Sequence, residues 1–492
     1  MSIFRKSAPL TATGVAPRPE DERLPFAQNI GYGFQHVLTM YGGIIAPPLI
    51  IGTAAGLSEA EIGVLIASCL FVGGLATVLQ TVGIPFFGSQ LPLVQGVSFA
   101  GVATMISILE GGGSIATIFG AVIAASLIGL LITPIFSQII RFFPPVVAGT
   151  VITTIGLTLM PVAAGWTMGG NSAADDFGSM QNLGLAGVTL LFVLIFSKIG
   201  IAAISRLSIL LAMVAGTIVA TLTGMADFSK VLEGPAFAFP MPFAFGPPEF
   251  QLAAILSMVI VILVTLTETS ADIIAVGEIV ETKTDSRRIG DGLRADMISS
   301  AISPIFNSFT QSAFAQNVGL VAITGVKSRF VVTAGGGILV ILGLLPILGR
   351  FVAAIPTPVL GGAGIVLFGT VAASGIRTLS TVKYEGNMNL VVVATALGFG
   401  MFPIVAPNIY DSFPSWFVTI FHSGISSSAI MAILLNLLFN HLKIGGKKPT
   451  SVMAEASSRR VSSALLNDLH DGDYVSNGKL YDAKSKEVSC TD

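Results

Sequence analysis

Along most of the chain, long apolar runs alternate with short polar breaks. The runs are mostly about 17–25 residues, the length that carries an α-helix across a bilayer's hydrocarbon core. They lie near 27–50, 60–80, 114–137, 144–165, 181–200, 206–225, 251–275, 330–349, 353–375, 387–406 and 416–441. Two further stretches, 84–109 and 296–325, are interrupted by glycine and proline and leave room for three more crossings. The pattern predicts an all-α polytopic membrane protein with fourteen transmembrane spans.

Charge tests that count, because cytoplasmic loops collect Lys and Arg. With a cytoplasmic N-terminus and fourteen spans, the two tails and the even-numbered loops hold 23 of the 25 basic residues, leaving only Lys230 and Arg350 on the other side. One missed helix would invert every later loop and scramble this sorting. Both termini are therefore expected in the cytoplasm.

Composition agrees: 53% of the 492 residues are hydrophobic, 11% are charged, and the mean hydropathy is +0.85. Cys69 lies in an apolar run and Cys490 in the tail, so no disulfide is expected. Residues 1–24 are rich in proline and charge without an apolar core, unlike a cleaved signal peptide. The tail from 442 to 492 turns polar and is expected to be disordered, with ASSRRVSSALLNDL at most a short surface helix. No metal cluster, P-loop, GxSxG or HExxH pattern occurs, so neither nucleotide binding nor a cofactor is expected. An intramembrane enzyme would need a metal set, or a nucleophile with a base, that the sequence does not offer.

The interrupted stretches sit in corresponding places. GSQLPLVQGVSFAGVATMI, from Gly88, and NSFTQSAFAQNVGLVAITGV, from Asn307, each contain a glutamine followed by a run that looks extended: Gln95 to Ala100 and Gln316 to Val321. Seven spans plus seven with matched breaks predicts an inverted repeat. Irregular backbone at membrane depth survives only inside protein or beside a cavity, and paired breaks of this kind point to a transporter's substrate site. A single such break would read as a packing kink.

Intramembrane carboxylates are the sharpest chemical signal, since a charge at the bilayer centre costs on the order of 3 kcal/mol or more. Glu268 and Asp272, in LTETSADIIAVGE, lie four residues apart on one helical face. With no cation nearby in sequence they repel, so at least one of them is expected to hold a proton; a solvated pair at the helix end is the plainer alternative. Asp296, opening the span after them, fits a helix-start acid as well as a functional one. His36, beside Gln35 in the first span, suits helix-to-helix hydrogen bonding better than ligand or proton handling. Gln316 and Asn317 each carry one carbonyl acceptor and one NH₂ donor, the equipment for a planar ring with adjacent C=O and N–H groups. A carboxylate such as Glu268 would accept from another ring N–H, and Phe99 could stack on the ring's face. Sugars could use the same groups, though they usually demand more aromatic and polar neighbours.

QNVGLVAITG, Gln316 to Gly325, resembles the signature of the nucleobase/ascorbate transporter family, Gln/Glu/Pro-Asn-x-Gly-x4-Thr-Gly/Arg/Lys, at every specified position. The likeness extends to Gln35-His36, LPLVQGVSFA, the Glu-x3-Asp of ETSAD and the aspartate of RADMISS, covering about residues 25–440. The resemblance implies two inverted seven-span repeats, with short strands in broken spans 3 and 10. It implies a core domain at 25–140 (spans 1–4) and 249–350 (spans 8–11), and a gate domain at 141–248 (spans 5–7) and 351–441 (spans 12–14). Tails at 1–24 and 442–492 flank them. It also implies a homodimer in a bacterial plasma membrane, working by an elevator motion of core against gate, with protons as the coupling ion. Carried over by position, Glu268 and Gln316 would hold the base, backbone groups around Phe99, Ala100 and Ala315 would complete the site, and Asp272, Asp296, His36, Gln35 and Asn317 would support it or the proton path. Glutamine at 316 goes with the oxidised purines xanthine and uric acid, glutamate with uracil permeases, and proline with ascorbate carriers. The resemblance thus implies a proton-coupled xanthine or uric acid importer, with a uracil or other nucleobase permease of the same fold as the alternative.

Overall fold

A computed structural model describes residues 18–136, 144–229, 231–232, 234–385, 387–442 and, in the tail, 474–476, 479–481 and 487–488. Arg5, Lys6, Arg141 and Lys230 of the charge count, Cys490, and the ASSRRVSSALLNDL stretch lie outside the described residues.

The first half runs through α1 (Phe26–Ala54), α2 (Glu59–Val82), strand β1 (Gln95–Val97), α3 (Val102–Glu110), α4 (Ile115–Ile132), α5 (Pro145–Thr158), α6 (Met160–Thr167), α7 (Met180–Lys198), α8 (Ala202–Arg206) and α9 (Ser208–Leu222). The second runs through α10 (Leu252–Val280), α11 (Ser286–Ile302), strand β2 (Gln311–Ala313), α12 (Ala315–Thr324), α13 (Arg329–Gly343), α14 (Pro346–Ala353), α15 (Thr357–Leu379), α16 (Asn389–Val405), α17 (Ser415–Phe421) and α18 (Gly424–Asn436). Among the described residues, eight helical stretches are long and apolar enough to cross a membrane, and α13 with α14 passes the same test as a bent pair. Four shorter apolar helices accompany them, two of which follow the strands. The protein is thus mostly helical, with many apolar helices. In the tail, strands β3 (Tyr474–Ser476), β4 (Lys479–Tyr481) and β5 (Glu487–Val488) pair antiparallel.

Local chemistry sets the boundaries. Ser58 and Glu61 form a reciprocal capping box at the start of α2, satisfying main-chain N–H groups that have no helical partner. Ser114 with Thr117 does the same for α4, and Asp285 caps α11 by accepting from Arg288 N at 2.8 Å.

Three expectations change. The run at 330–349 is not one straight span: α13 and α14 meet at 78°, because Pro346 has no N–H to continue the ladder. The run at 416–441 is divided at His422 and Ser423, where the Ser423 hydroxyl accepts from Ser426 N and starts α18 afresh. The second extended run is not Gln316 to Val321, which is helical, but Gln311 to Ala313, five residues earlier.

Small residues let the helices approach closely, the usual basis of packing where both partners are apolar. A Cβ at Gly74 of α2 would sit 2.6 Å from the Gly336 carbonyl of α13, and one at Gly33 of α1 would sit 2.8 Å from Gly335 N. A second group, α5, α6, α7, α9, α15, α16 and α18, packs around α15 and α5. At one end the N-terminal segment closes onto basic connections: Glu20 pairs with Arg288 at 2.5 Å and Asp21 with Arg329 at 2.7 Å.

Candidate functional site

The two strands meet in the interior. Gln95, Gly96 and Val97 of β1 lie opposite Ala313, Ser312 and Gln311 of β2, and main-chain bonds from Ser98 N to Thr310 O (2.8 Å) and Phe314 N to Val94 O (3.0 Å) extend the pairing. Irregular chain at this depth is therefore hydrogen-bonded to itself. The Phe314 ring wedges between α1 and β1. A Cβ at Gly43 would lie 2.8 Å from it and one at Gly96 2.7 Å, so a larger residue at either place would have to displace the ring.

Immediately after the strands both chains turn into helix, Phe99 leading into α3 and Ala315 starting α12. At these starts the Ala100 N–H is taken by the Ser98 hydroxyl at 3.2 Å and the Asn317 N–H by the Phe314 carbonyl at 2.9 Å, which leaves those of Ala315 and Gln316 without a helical partner. Here a cavity of about 360 Å³ opens, within the range of small-molecule sites. One wall is Val97 to Ala100 and Ser312 to Gln316; another is Glu268, Ala271 and Asp272 on α10; a third is the face of α15 that carries Thr370, Ser374, Arg377 and Thr378. Glu268 and Asp272 are half-buried on one helical face, and Gln316 and Ala315 are exposed to the opening. The Phe99 ring stands edge-on to Phe368 of α15, centroids 6.2 Å apart. Carboxylates that accept, an amide that does both, and free N–H groups thus converge on a space bordered by an aromatic ring.

Six of the ten residues singled out from sequence line this cavity: Glu268, Gln316, Phe99, Ala100, Ala315 and Asp272. The other four stand behind or beside it. Asn317 points away from Gln316, its Nδ2 donating to the His36 carbonyl at 3.1 Å and lying 3.0 Å from His36 Nδ1, which ties α12 to α1. Gln35 is half-buried, and its carbonyl accepts from Thr39 at 2.9 Å. Asp296 is buried behind the strands and accepts from Thr269 at 2.6 Å. Among the described residues no His, Cys, Asp and Glu cluster could hold a metal ion.

A family model described as Permease family, corresponding to the nucleobase/ascorbate transporter family, matches residues 27–409. The chain belongs to that family. It is a multi-pass membrane transporter, not an enzyme. The xanthine permease of Bacillus subtilis (strain 168) is 38% identical over 415 residues, 84% of this chain and 94% of that protein. The uric acid transporter UacT of Escherichia coli (strain K12) is 38% identical over 444 residues, 89% and 92% of the two chains. Among solved structures, the transmembrane domain of the cyanobacterial bicarbonate transporter BicA superposes with a TM-score of 0.53 at 16% identity, covering 84% of this chain and all but 1% of that one. At that identity the likeness concerns the fold alone.

For a permease, the residues missed in the sequence are informative. Thr370, Ser374 and Thr378 fall at helical spacing on one face of VLFGTVAASGIRTL, a signal that could have been read. Arg377 was hidden because the charge count assigned it to a loop; it belongs to the last turn of α15, and its guanidinium is exposed, without an ion pair among the described residues.

Proposed function

We propose that this permease imports oxidised purines, xanthine or uric acid, together with protons. The observation that carries the proposal is the meeting of Glu268, Asp272 and Gln316 at one cavity edged by Phe99. Gln316 can form a two-point pair with a ring edge bearing adjacent C=O and N–H groups, as glutamine does with adenine. Glu268 accepts from a second ring N–H, and the N–H groups at the start of α12 receive a ring carbonyl. Relatives that transport xanthine and uric acid at 38% identity support the same substrate class.

The carboxylate pair supports proton coupling, because a carboxyl in a membrane interior that meets both solvent and ligand can exchange a proton with either. The proposal includes fourteen spans in two inverted repeats, a homodimer and an elevator motion of core against gate. The gathering of Arg288, Arg329 and the N-terminal segment on one face supports cytoplasmic termini.

The test is uptake of radiolabelled xanthine and urate by cells lacking their own purine carriers, with and without a protonophore. Saturable uptake that collapses with the proton gradient is expected. Uptake of uracil but neither purine would overturn the substrate assignment, and purine uptake indifferent to the protonophore would overturn symport.

A further inference from the structure

Behind the strand pair, buried polar groups form a chain that is open at one place. Thr269 is the neighbour of Glu268 on α10 but faces the other way, with no exposed surface. Its hydroxyl donates to Asp296 Oδ2 at 2.6 Å and accepts from Ala313 N of β2 at 3.3 Å. Ala313 is paired in the ladder with Gln95 of β1. Gln95, 1% exposed, is fixed by its main chain: its N–H donates to Thr77 Oγ1 at 2.9 Å, and its carbonyl accepts from the same hydroxyl at 3.2 Å. Because its ladder partner Ala313 bonds to Thr269, and Thr269 to Asp296, Gln95 is brought to the neighbourhood of that carboxyl. No bond of good geometry forms there: Asp296 Oδ1 and both Gln95 amide atoms are buried without a partner.

This arrangement is sensitive to a proton on Asp296. An ionised carboxylate only accepts, so it asks Gln95 to present its NH₂; a protonated one can donate, and asks for the amide oxygen. The two demands differ by a half-turn of the amide. On the other side, the chain Ala313 N–H to Thr269 O–H to carboxylate is polarised by the negative charge and weakens when that charge is lost. Both strands therefore register the state of Asp296, and both run directly into the residues that line the cavity. Asp272 on α10 is the titratable group that acts on Asp296 from a neighbouring element. Strands β1 and β2 and helix α4 carry none, and the acids of α2 are at its opposite end, Glu59 and Glu61.

We infer that Thr269 and Gln95 are positioning residues that transmit the protonation state of Asp296 to the cavity wall, so that purine affinity and proton loading change together. This rests on the proposed purine–proton symport. The full-length protein in lipid nanodiscs is the material, and the readout is the Kd of radiolabelled xanthine from pH 5 to 9 for wild type, Thr269→Val, Thr269→Ser and Gln95→Leu, each expressed relative to wild type so that ionisation of xanthine itself cancels. Thr269→Val and Gln95→Leu should retain saturable binding but flatten the pH profile, changing the ratio to wild type by about tenfold across the range, the scale of one charge-assisted hydrogen bond. Thr269→Ser, which keeps the hydroxyl, should restore the wild-type profile. Accumulation driven by an imposed pH gradient should fall in the first two variants and recover in the third. Profiles for Thr269→Val and Gln95→Leu parallel to wild type overturn the inference while leaving symport intact. A wild type whose binding and uptake both ignore pH overturns symport and the inference together. Where Thr269→Val does not yield folded protein, Gln95→Leu decides alone, since it leaves the Thr269 hydroxyl in place.

Discussion

The two broken segments meet in one ladder yet contribute different things. The first, through Gln95, Gly96 and Val97, is almost wholly buried and offers the cavity main-chain groups and one ring, Phe99. The second turns into α12 directly after its strand, so Ala315 and Gln316 stand exposed at the opening while Asn317, one position on, is buried against His36. Equivalent backbone breaks thus serve as a structural half and a recognition half, and the division follows from where the helix restarts. A helix that begins at the cavity edge turns each residue by about 100° from the last, so Ala315 and Gln316 face the opening while Asn317 and Val318 face protein.

Glu268 faces both halves and sets the scale. Glu268→Gln keeps the shape and removes the ionisable oxygen, so gradient-driven accumulation should be abolished. Its purine affinity should fall by about 1.5–3 kcal/mol, the worth of a hydrogen bond to a charged group; steady-state uptake and direct binding measure the two effects, and uphill accumulation in the variant would refute the role. Gly96→Val tests the structural half. Its side chain must displace the Phe314 ring, costing about 1–3 kcal/mol as an overpacked site, read as a lowered thermal midpoint of the purified protein. Asn317→Ala, though adjacent to the recognition residue, should behave like Gly96→Val on a smaller scale, losing about 1–2 kcal/mol of stability as a buried hydrogen-bonded contact disappears. Gln316→Ala should do the reverse: an unchanged midpoint with xanthine binding weakened by about 1 kcal/mol. Phe99→Leu should have the smallest effect, about 0.5–1 kcal/mol of lost ring contact, seen as a slight rise in Kd. An Asn317→Ala variant that binds poorly but melts normally would break the comparison.

The outcome also explains what could be read from the chain. Long apolar runs predicted α1, α2, α4, α7, α10 and α15 within a few residues, because in a bilayer length and hydrophobicity leave the backbone few alternatives. The sharp bend before Pro346 was hidden inside an apolar run, where hydropathy carries no information about direction, whereas the restart at Ser423 lies in the polar stretch HSGISSS, which a single span from 416 to 441 passes over. The matching of the breaks by their glutamines misplaced the second strand: Gln311, not Gln316, sits in the ladder. Both glutamines are flanked by small residues, and only pairing across the ladder distinguishes them. Likewise Glu268 and Asp272 were visible as acids in an apolar run, whereas Arg377 was not, since an arginine near a helix end looks the same whether it meets solvent or a cavity.

The sequence by itself determined that the chain crosses a membrane many times, and that acids and amides lie where lipid forbids them unless they have a use. Those conclusions follow from the free energy of single side chains and single helices in hydrocarbon, which is a local quantity. Only the tertiary structure decided that residues 99, 268, 316 and 377 border one space, that Asn317 turns to His36 instead, and that Asp296 stands behind the strands with Thr269 and Gln95. Those facts depend on contacts between residues from 27 to 281 positions apart, and close approach of that kind is set by how small residues let helices pack, which no local pattern records.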